Sequence, residues 1–234
     1  MFISPQIFYK NKTFRFLSTD TEDLFRKNLK KQHYLWTYRR KQISYSHNEF
    51  GFRSRSFENL DWANAVVVFG CSNVYGTGLA HEDCVCSIME EKLGRPVINF
   101  GIHGGSVELA FYNSLILCNN FTTPAAVVHL WTSLDRYTDI TDKVKNVVPI
   151  HDDYFAKINW NKKSEFYVLA DRTIWKNKTV YYESSFWNET ADTLNIDRLP
   201  PTVDSARDLS HPGIETNKLF ADFLVEKLKN RGLK

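Results

Sequence analysis

Ala65-Val66-Val67-Val68-Phe69-Gly70-Cys71-Ser72-Asn73-Val74-Tyr75-Gly76-Thr77-Gly78 is the stretch on which the fold turns. Residues 65–69 are apolar without interruption, whereas a strand with one wet face alternates apolar with polar. An unbroken run this short reads as a strand buried on both faces, as in a parallel sheet covered by helices. Gly70 ends the run and a turn follows. A serine two residues past such a strand, opening a helix-bound turn, has its hydroxyl placed for exposure. The helix start and its free backbone N–H groups favour negative charge there. Gly70, Gly76 and Gly78 fit neither the GxGxxG pattern nor a P-loop, since no Lys-Ser/Thr follows.

The pattern then repeats. Residues 81–93 carry helical spacing, with Val85, Ile88, Met89 and Leu93 on one side and Gly94-Arg95-Pro96 as a stop. Pro96-Val97-Ile98-Asn99-Phe100 is a second short strand, ended by Gly101. Residues 106–119 are helical again, begun by Ser106 and Glu108, and residues 125–131 form a third buried strand. Strand, helix, strand, helix, strand at this pace predicts a parallel α/β sheet, with the strand carboxyl ends along one edge. Residues 213–228 predict a last amphipathic helix, with Leu219, Phe220, Phe223, Leu224 and Leu228 as its stripe. Residues 137–203 lose the rhythm and are rich in Lys, Asn, Asp and aromatics, including Tyr154, Trp160, Tyr167, Trp175, Tyr181, Tyr182 and Trp187. They read as an insertion or cap, closed by Pro200-Pro201. The expected organisation is an N-terminal basic extension over residues 1–47, packed on a single α/β domain over 48–234.

Composition narrows the function classes. The 234 residues are 43% apolar and 24% charged, enough for a core without a disulfide or metal staple. No apolar run approaches the ~20 residues that cross a bilayer. No basic segment followed by an apolar one opens the chain, so the expectation is a cytoplasmic protein without a signal peptide. Cys71, Cys84, Cys86 and Cys118 form no CxxC pair and read as reduced, mostly buried thiols. His103, His129 and His151 complete no metal set with carboxylates, so neither metal nor cofactor is expected; His129, inside an apolar strand, reads as a core histidine. Residues 26–55 hold nine Lys/Arg against one acid, Glu49, within a chain of net charge +3. That basic arm is either a polyanion contact or a solvated helix and turn; no nucleic-acid motif accompanies it.

Sites in α/β sheets form beyond the carboxyl ends of the strands, and three loops lie there. Besides the Ser72 turn, Asn99-Phe100-Gly101-Ile102-His103-Gly104-Gly105-Ser106 has glycines that let a backbone N–H approach a substrate oxygen. Asp208-Leu209-Ser210-His211-Pro212-Gly213 precedes the last helix. Asp208 there reads either as a simple N-terminal cap or as the group that fixes the imidazole of His211, leaving His211 to act as base toward a serine.

Together these blocks resemble the SGNH (GDSL-type) hydrolase family. Its Gly-Asp-Ser block is occupied by FGCSNVYGTG, its Asn-x-Gly-x-x-Gly block by NFGIHGG and its Asp-x-x-His block by DLSHPG, in the family's order. Asn48-Glu49-Phe50-Gly51-Phe52-Arg53 resembles a lead-in found in some branches. The likeness covers roughly residues 48–136 and 204–230 and extends in character to SGNH-like proteins of bacteria and their viruses. It implies a three-layer α/β/α sandwich with a central parallel sheet, flavodoxin-like, hydrolysing esters with Ser72 as nucleophile, His211 as base and Asp208 as orienter. Ser72 and Gly104 would supply oxyanion-hole N–H groups. His103, Trp131 and Ser133 are the expected substrate contacts. Two positions depart from the family. Cys71 replaces the usual Asp, which makes a cysteine nucleophile the alternative to Ser72. Leu134 stands where a Gly-x-Asn-Asp block would place an oxyanion-donating Asn, with Arg136 the first-choice substitute donor. Loss of one donor typically costs ~10²–10³ in rate. The expected activity is deacylation, chiefly deacetylation, of a carbohydrate or small ester. An acyltransferase of the same fold uses the same triad. A non-catalytic protein binding glycans or polyanions, or serving as a structural module, is the alternative from another class.

Overall fold

The computed structural model describes residues 2–139, 145–147 and 154–234. The chain begins with β1 (Thr13–Phe14), α1 (Glu22–Lys31) and β2 (Tyr45–Ser46). The three predicted strands and two predicted helices follow as β3 (Val66–Gly70), the short α2 (Ser72–Tyr75), α3 (Val85–Leu93), β4 (Val97–Gly101), α4 (Val107–Asn120) and β5 (Ala126–Trp131). Then come β6 (Tyr137–Asp139), β7 (Lys145–Val147), α5 (Tyr154–Trp175), β8 (Val180–Ser185), α6 (Asn188–Leu194), β9 (Asp197–Arg198) and α7 (Ile214–Asn230).

Five strands form one parallel sheet in the order β4-β3-β5-β8-β9. Successive side chains of a strand point to opposite faces, and both faces here are covered, which is why β3 is apolar throughout. Val66 and Val68 pack with Val85 and Met89 of α3 and Phe220 and Leu224 of α7. Val67 and Phe69 pack on the other face with Ile98, Phe100, Leu109 of α4 and Trp175 of α5. Helix, sheet, helix makes the expected three-layer sandwich. Burying a Val, Leu or Phe in such a core contributes ~1.5–3 kcal/mol, and β4 and β5 are buried at every position.

The stretch read as an insertion or cap is corrected by the sheet itself. β8 pairs with β5 over six positions, from Ala126 opposite Val180 to Trp131 opposite Ser185, and β9 adds two more pairs. Residues 180–185 and 197–198 are therefore strands of the sandwich, and α5 is one of its covering helices. The misreading has a physical cause. β8 reads Val-Tyr-Tyr-Glu-Ser-Ser, too polar for a buried strand by composition, but its polar groups all have partners. Glu183 accepts from Trp131 Nε1 at 3.0 Å and Arg172 Nε at 2.6 Å, Ser184 Oγ donates to the Asp197 carbonyl, and Ser185 Oγ donates to the Trp131 carbonyl. Buried polar groups with partners avoid most of the desolvation cost.

The N-terminal segment joins the same body. Phe2 is buried among Phe52, Phe57, Trp62 and Phe100, and β1 pairs with β2. Five of the nine basic residues of the arm are tied to the protein itself. Arg53 is buried and donates to the carbonyls of Ser44, Gly76 and Leu79. Arg39 donates to the carbonyls of Leu29 and Gln32. Arg26, Lys41 and Arg55 pair with Glu22, Asp83 and Glu90. His129 is fully buried, stacked between Phe69 and Trp131, with Nε2 2.9 Å from Asp171 Oδ2. Its sequence companion His151 lies outside the described residues. Among the described residues no helix is long and apolar enough to cross a membrane, and no cluster of ligand-type side chains suits a metal ion.

Candidate active site

The carboxyl end of β3 delivers Ser72 as the first residue of α2, with Cys71 extended before it. α2 stops after four residues at Gly76, whose φ of +82° lies in the left-handed region. Asn99 fixes the neighbouring strand end: its Nδ2 donates to the Val74 carbonyl at 2.8 Å and its Oδ1 accepts the Gly101 N–H at 2.8 Å. A side chain at Gly101 would meet the Tyr75 nitrogen at 2.2 Å, so only glycine lets β4 approach α2 this closely. The second loop follows, with Gly104 at φ +70°.

The third loop arrives from the other end of the chain. Asp204 caps α7 by accepting the N–H groups of Glu215 and Thr216 at 3.1 and 2.8 Å, so Asp208 is not needed as a cap. Asp208 instead accepts the N–H groups of Ser210 and His211 at 3.1 and 3.2 Å. His211 Nδ1 lies 2.5 Å from Asp208 Oδ2, and its Nε2 lies 2.9 Å from Ser72 Oγ. With Nδ1–H donating to the carboxylate, Nε2 is free to accept the serine proton. Burial pushes the Asp208 carboxyl up, but the hydrogen bond and charge of His211 and the two N–H groups outweigh it and hold the group below the usual range. Leu209, between them, has φ +61°, a conformation that costs a branched residue of order 1–3 kcal/mol.

The loop is held from outside by residues that the sequence reading did not single out. Arg207 is nearly fully buried and forks onto the Asp20 carboxylate, with Nε at 3.0 Å and Nη2 at 2.5 Å. Its guanidinium lies 4.7 Å from the Phe16 ring centroid and 5.3 Å from that of Phe25. Asn28 Nδ2 donates to the Arg207 carbonyl at 3.0 Å. Tyr45 OH donates to Asp20 and accepts the Gly78 N–H, which joins the same clamp to the turn after Ser72. Asp20 and Arg207 are 187 residues apart, and no local pattern signals their pairing.

Ser72 and His211 open onto a cleft of about 750 Å³ whose walls include Arg136, Trp187, Arg198, Pro200 and Phe220. The Arg136 guanidinium lies 5.1 Å from the Trp187 ring centroid. His103 stands behind the pair, its ring edge-on to His211 at 6.3 Å, with Nε2 2.5 Å from Thr19 Oγ1. Burial, and then the nearby His211, lowers its pKa to about 4.

Two expected contacts lie elsewhere. Trp131 is 1% exposed, stacked on His129 and bonded to Glu183, because the last position of β5 points into the α5 layer. The Ser133 hydroxyl donates to Asp135 and lines a separate recess beside Trp187 and Thr190. Leu134 is 4% exposed and packs with Val107, Val168 and Leu194. Cys71 is fully buried and is not part of the cleft wall.

Neither a family model nor a curated protein matches the sequence. Solved structures do match the fold. A carbohydrate esterase, described as displaying divergent catalytic and non-catalytic binding functions in its active site, aligns with a TM-score of 0.50 at 11% identity, over 75% of this chain and 68% of that one. The chain has the SGNH-hydrolase fold. A lipolytic protein of the G-D-S-L family from Desulfitobacterium hafniense aligns at 0.48 and 12% identity, over 70% of this chain and 99% of that one. An acetyl xylan esterase from Butyrivibrio proteoclasticus aligns at 0.48 and 12%, over 74% of this chain and 64% of its own length. In SGNH-fold terms the sheet edge carrying Ser72, the Gly104 loop and the His211 loop is the edge where sites of open α/β sheets form.

Proposed function

We propose that this SGNH-fold chain is a serine esterase that removes an acyl group, acetyl in the first instance, from a carbohydrate. The observation that carries the reading is the hydrogen-bonded chain from Ser72 through His211 to Asp208, with Ser72 facing a cleft. A serine hydroxyl is a weak nucleophile until a base takes its proton. His211 Nε2 takes that proton as Ser72 Oγ attacks the ester carbonyl, while Asp208 keeps the imidazole in its tautomer and balances the charge it acquires. Negative charge collects on the carbonyl oxygen, where the N–H groups of Ser72 and Gly104 act as donors and Arg136, in the cleft wall, is the side-chain donor. The carbon–oxygen bond to the alcohol breaks as His211 returns the proton to the leaving oxygen. Water, deprotonated in turn by His211, then frees the acid from Ser72. The flat walls of Trp187, Phe186 and Pro200-Pro201 suit a sugar ring, and the carbohydrate esterase of like fold is in keeping with that. The 1–47 segment works as part of the same domain, since it clamps the loop that bears His211.

The test is covalent labelling with a fluorophosphonate, read by intact mass, on wild type and on Ser72→Ala. One adduct on wild type and none on the variant is the expected result, together with a loss of at least ~10³-fold in ester turnover. An adduct that persists on Ser72→Ala would assign the nucleophile elsewhere. Its absence from folded wild type would overturn the esterase reading.

A further inference from the structure

The cleft that holds Ser72 and His211 carries two guanidinium groups, Arg136 and Arg198, and among the described residues no Asp or Glu lines it. The carboxylate nearest the chemistry, Asp208, has a side chain only 1% exposed and is engaged by His211. Arg136 makes no ion pair among the described residues; Trp187 supports its guanidinium by a cation–π contact. Arg198 bonds to Asp192 through one nitrogen, and its side chain remains half exposed. An arginine braced on an aromatic face, with no ion pair among the described residues, is a prearranged fork for a planar two-oxygen anion. A neutral ester has no use for two guanidinium groups in one cleft, one of which suffices as an oxyanion donor. The remaining wall, Phe186, Leu199, Pro200, Pro201 and Phe220, is apolar and suits the face of a ring.

From this arrangement we infer that the esterase acts on an O-acylated sugar acid, a ring whose carboxylate is held by Arg136 and Arg198 while its ester carbonyl meets Ser72. The inference rests on the esterase reading for turnover but not for recognition. Arg198 is the specificity residue, and Arg136 stands at both tasks. The positive wall also attracts the anion before contact, an effect that salt weakens.

The experiment compares methyl glucuronide with methyl glucoside, each monoacetylated at the same hydroxyl, and adds an acetylated glucose 6-phosphate. The kcat/KM for the glucuronide is expected to exceed that for the glucoside by about tenfold or more at low salt, the size of a charge-assisted hydrogen bond. The preference should shrink at high salt, and Arg198→Gln should remove it mainly through KM. Equal kcat/KM for glucuronide and glucoside, or a preference confined to the phosphate, would overturn the sugar-acid inference while leaving the esterase in place. Calorimetric binding of the two acetylated glycosides to Ser72→Ala gives an answer without turnover. Tighter binding of the glucuronide there, beside a wild type that hydrolyses nothing, would retain the inference and discard the esterase. Equal or no binding would discard the inference.

Discussion

Leu134 stands at the position where the family resemblance calls for an oxyanion-donating asparagine, yet its side chain lies in the core with Val107, Trp131 and Val168. Its carbonyl accepts the Ser164 hydroxyl at 2.7 Å, which fixes the loop in that orientation. A donor installed there would face apolar neighbours instead of the cleft. Leu134→Asn is therefore expected to cost about 2–4 kcal/mol of stability, from lost packing and an unpaired amide, and to bring no gain in ester turnover. Urea unfolding and initial rates measured together check this. A faster enzyme would show that the residue reaches the oxyanion after all. Cys71 is a second residue kept from the cleft: its Sγ lies 4.0 Å from Ser72 Oγ, yet it is fully buried and no part of the cleft wall.

At the scale of elements, the notable feature is how much of the His211 loop is held by the N-terminal segment. Asp20 and Arg207 are buried as a pair, and Phe16, Phe25, Asn28 and Tyr45 close around them. Breaking a buried pair by removing one partner typically costs ~3–5 kcal/mol, because a charge is left without compensation. Asp20→Asn is expected to fall at or somewhat below that range, since the amide still accepts one bond. It should also slow fluorophosphonate labelling of Ser72 by about tenfold, since small displacements of a base from its nucleophile are felt strongly in rate. Denaturant midpoints and labelling rates, taken below the unfolding transition, separate the two effects. An unchanged labelling rate on a destabilised fold would make the clamp purely structural.

For the whole molecule, buried histidines link stability to pH. Burial is the leading cause that lowers the pKa of His47, His81 and His103, the last to about 4. Unfolded, each titrates near 6.5. Between that value and the folded one, the unfolded chain binds more protons, so stability is full above about pH 6.5 and falls as the pH drops. Asp208 is shifted in the same direction, though by the bonds and charge of its partners against the effect of burial, and its contribution is lost only in stronger acid, as the pH falls through its folded value. From pH 7 to 4.5 the contribution of His103 alone should fall by about 2–3 kcal/mol. Urea unfolding at the two pH values, on wild type and His103→Asn, reads this directly. An equal acid loss in both proteins would remove His103 as its source.

The sequence by itself determined the parallel half of the sheet. The apolar runs at 65–69, 96–98 and 125–128 admit only a two-faced burial, and Gly70 and Gly101 mark where the loops after the first two turn. It also pointed to Ser72, Asp208 and His211, because each sits in a short block whose residue types suit one chemistry, and the structure brings these three side chains together. Tertiary structure alone decided the rest. β8 and β9 are strands because their polar groups find partners on β5, α5 and each other, a matter of pairing that composition cannot express. Trp131 and Leu134 face the core because of how the end of β5 packs against α5 and α6, and Lys41, Arg53 and Arg55 of the charged arm are tied down by acids and carbonyls distant in sequence. Local pattern reports which faces a segment can bury; which polar groups meet across many residues is set by the packed chain.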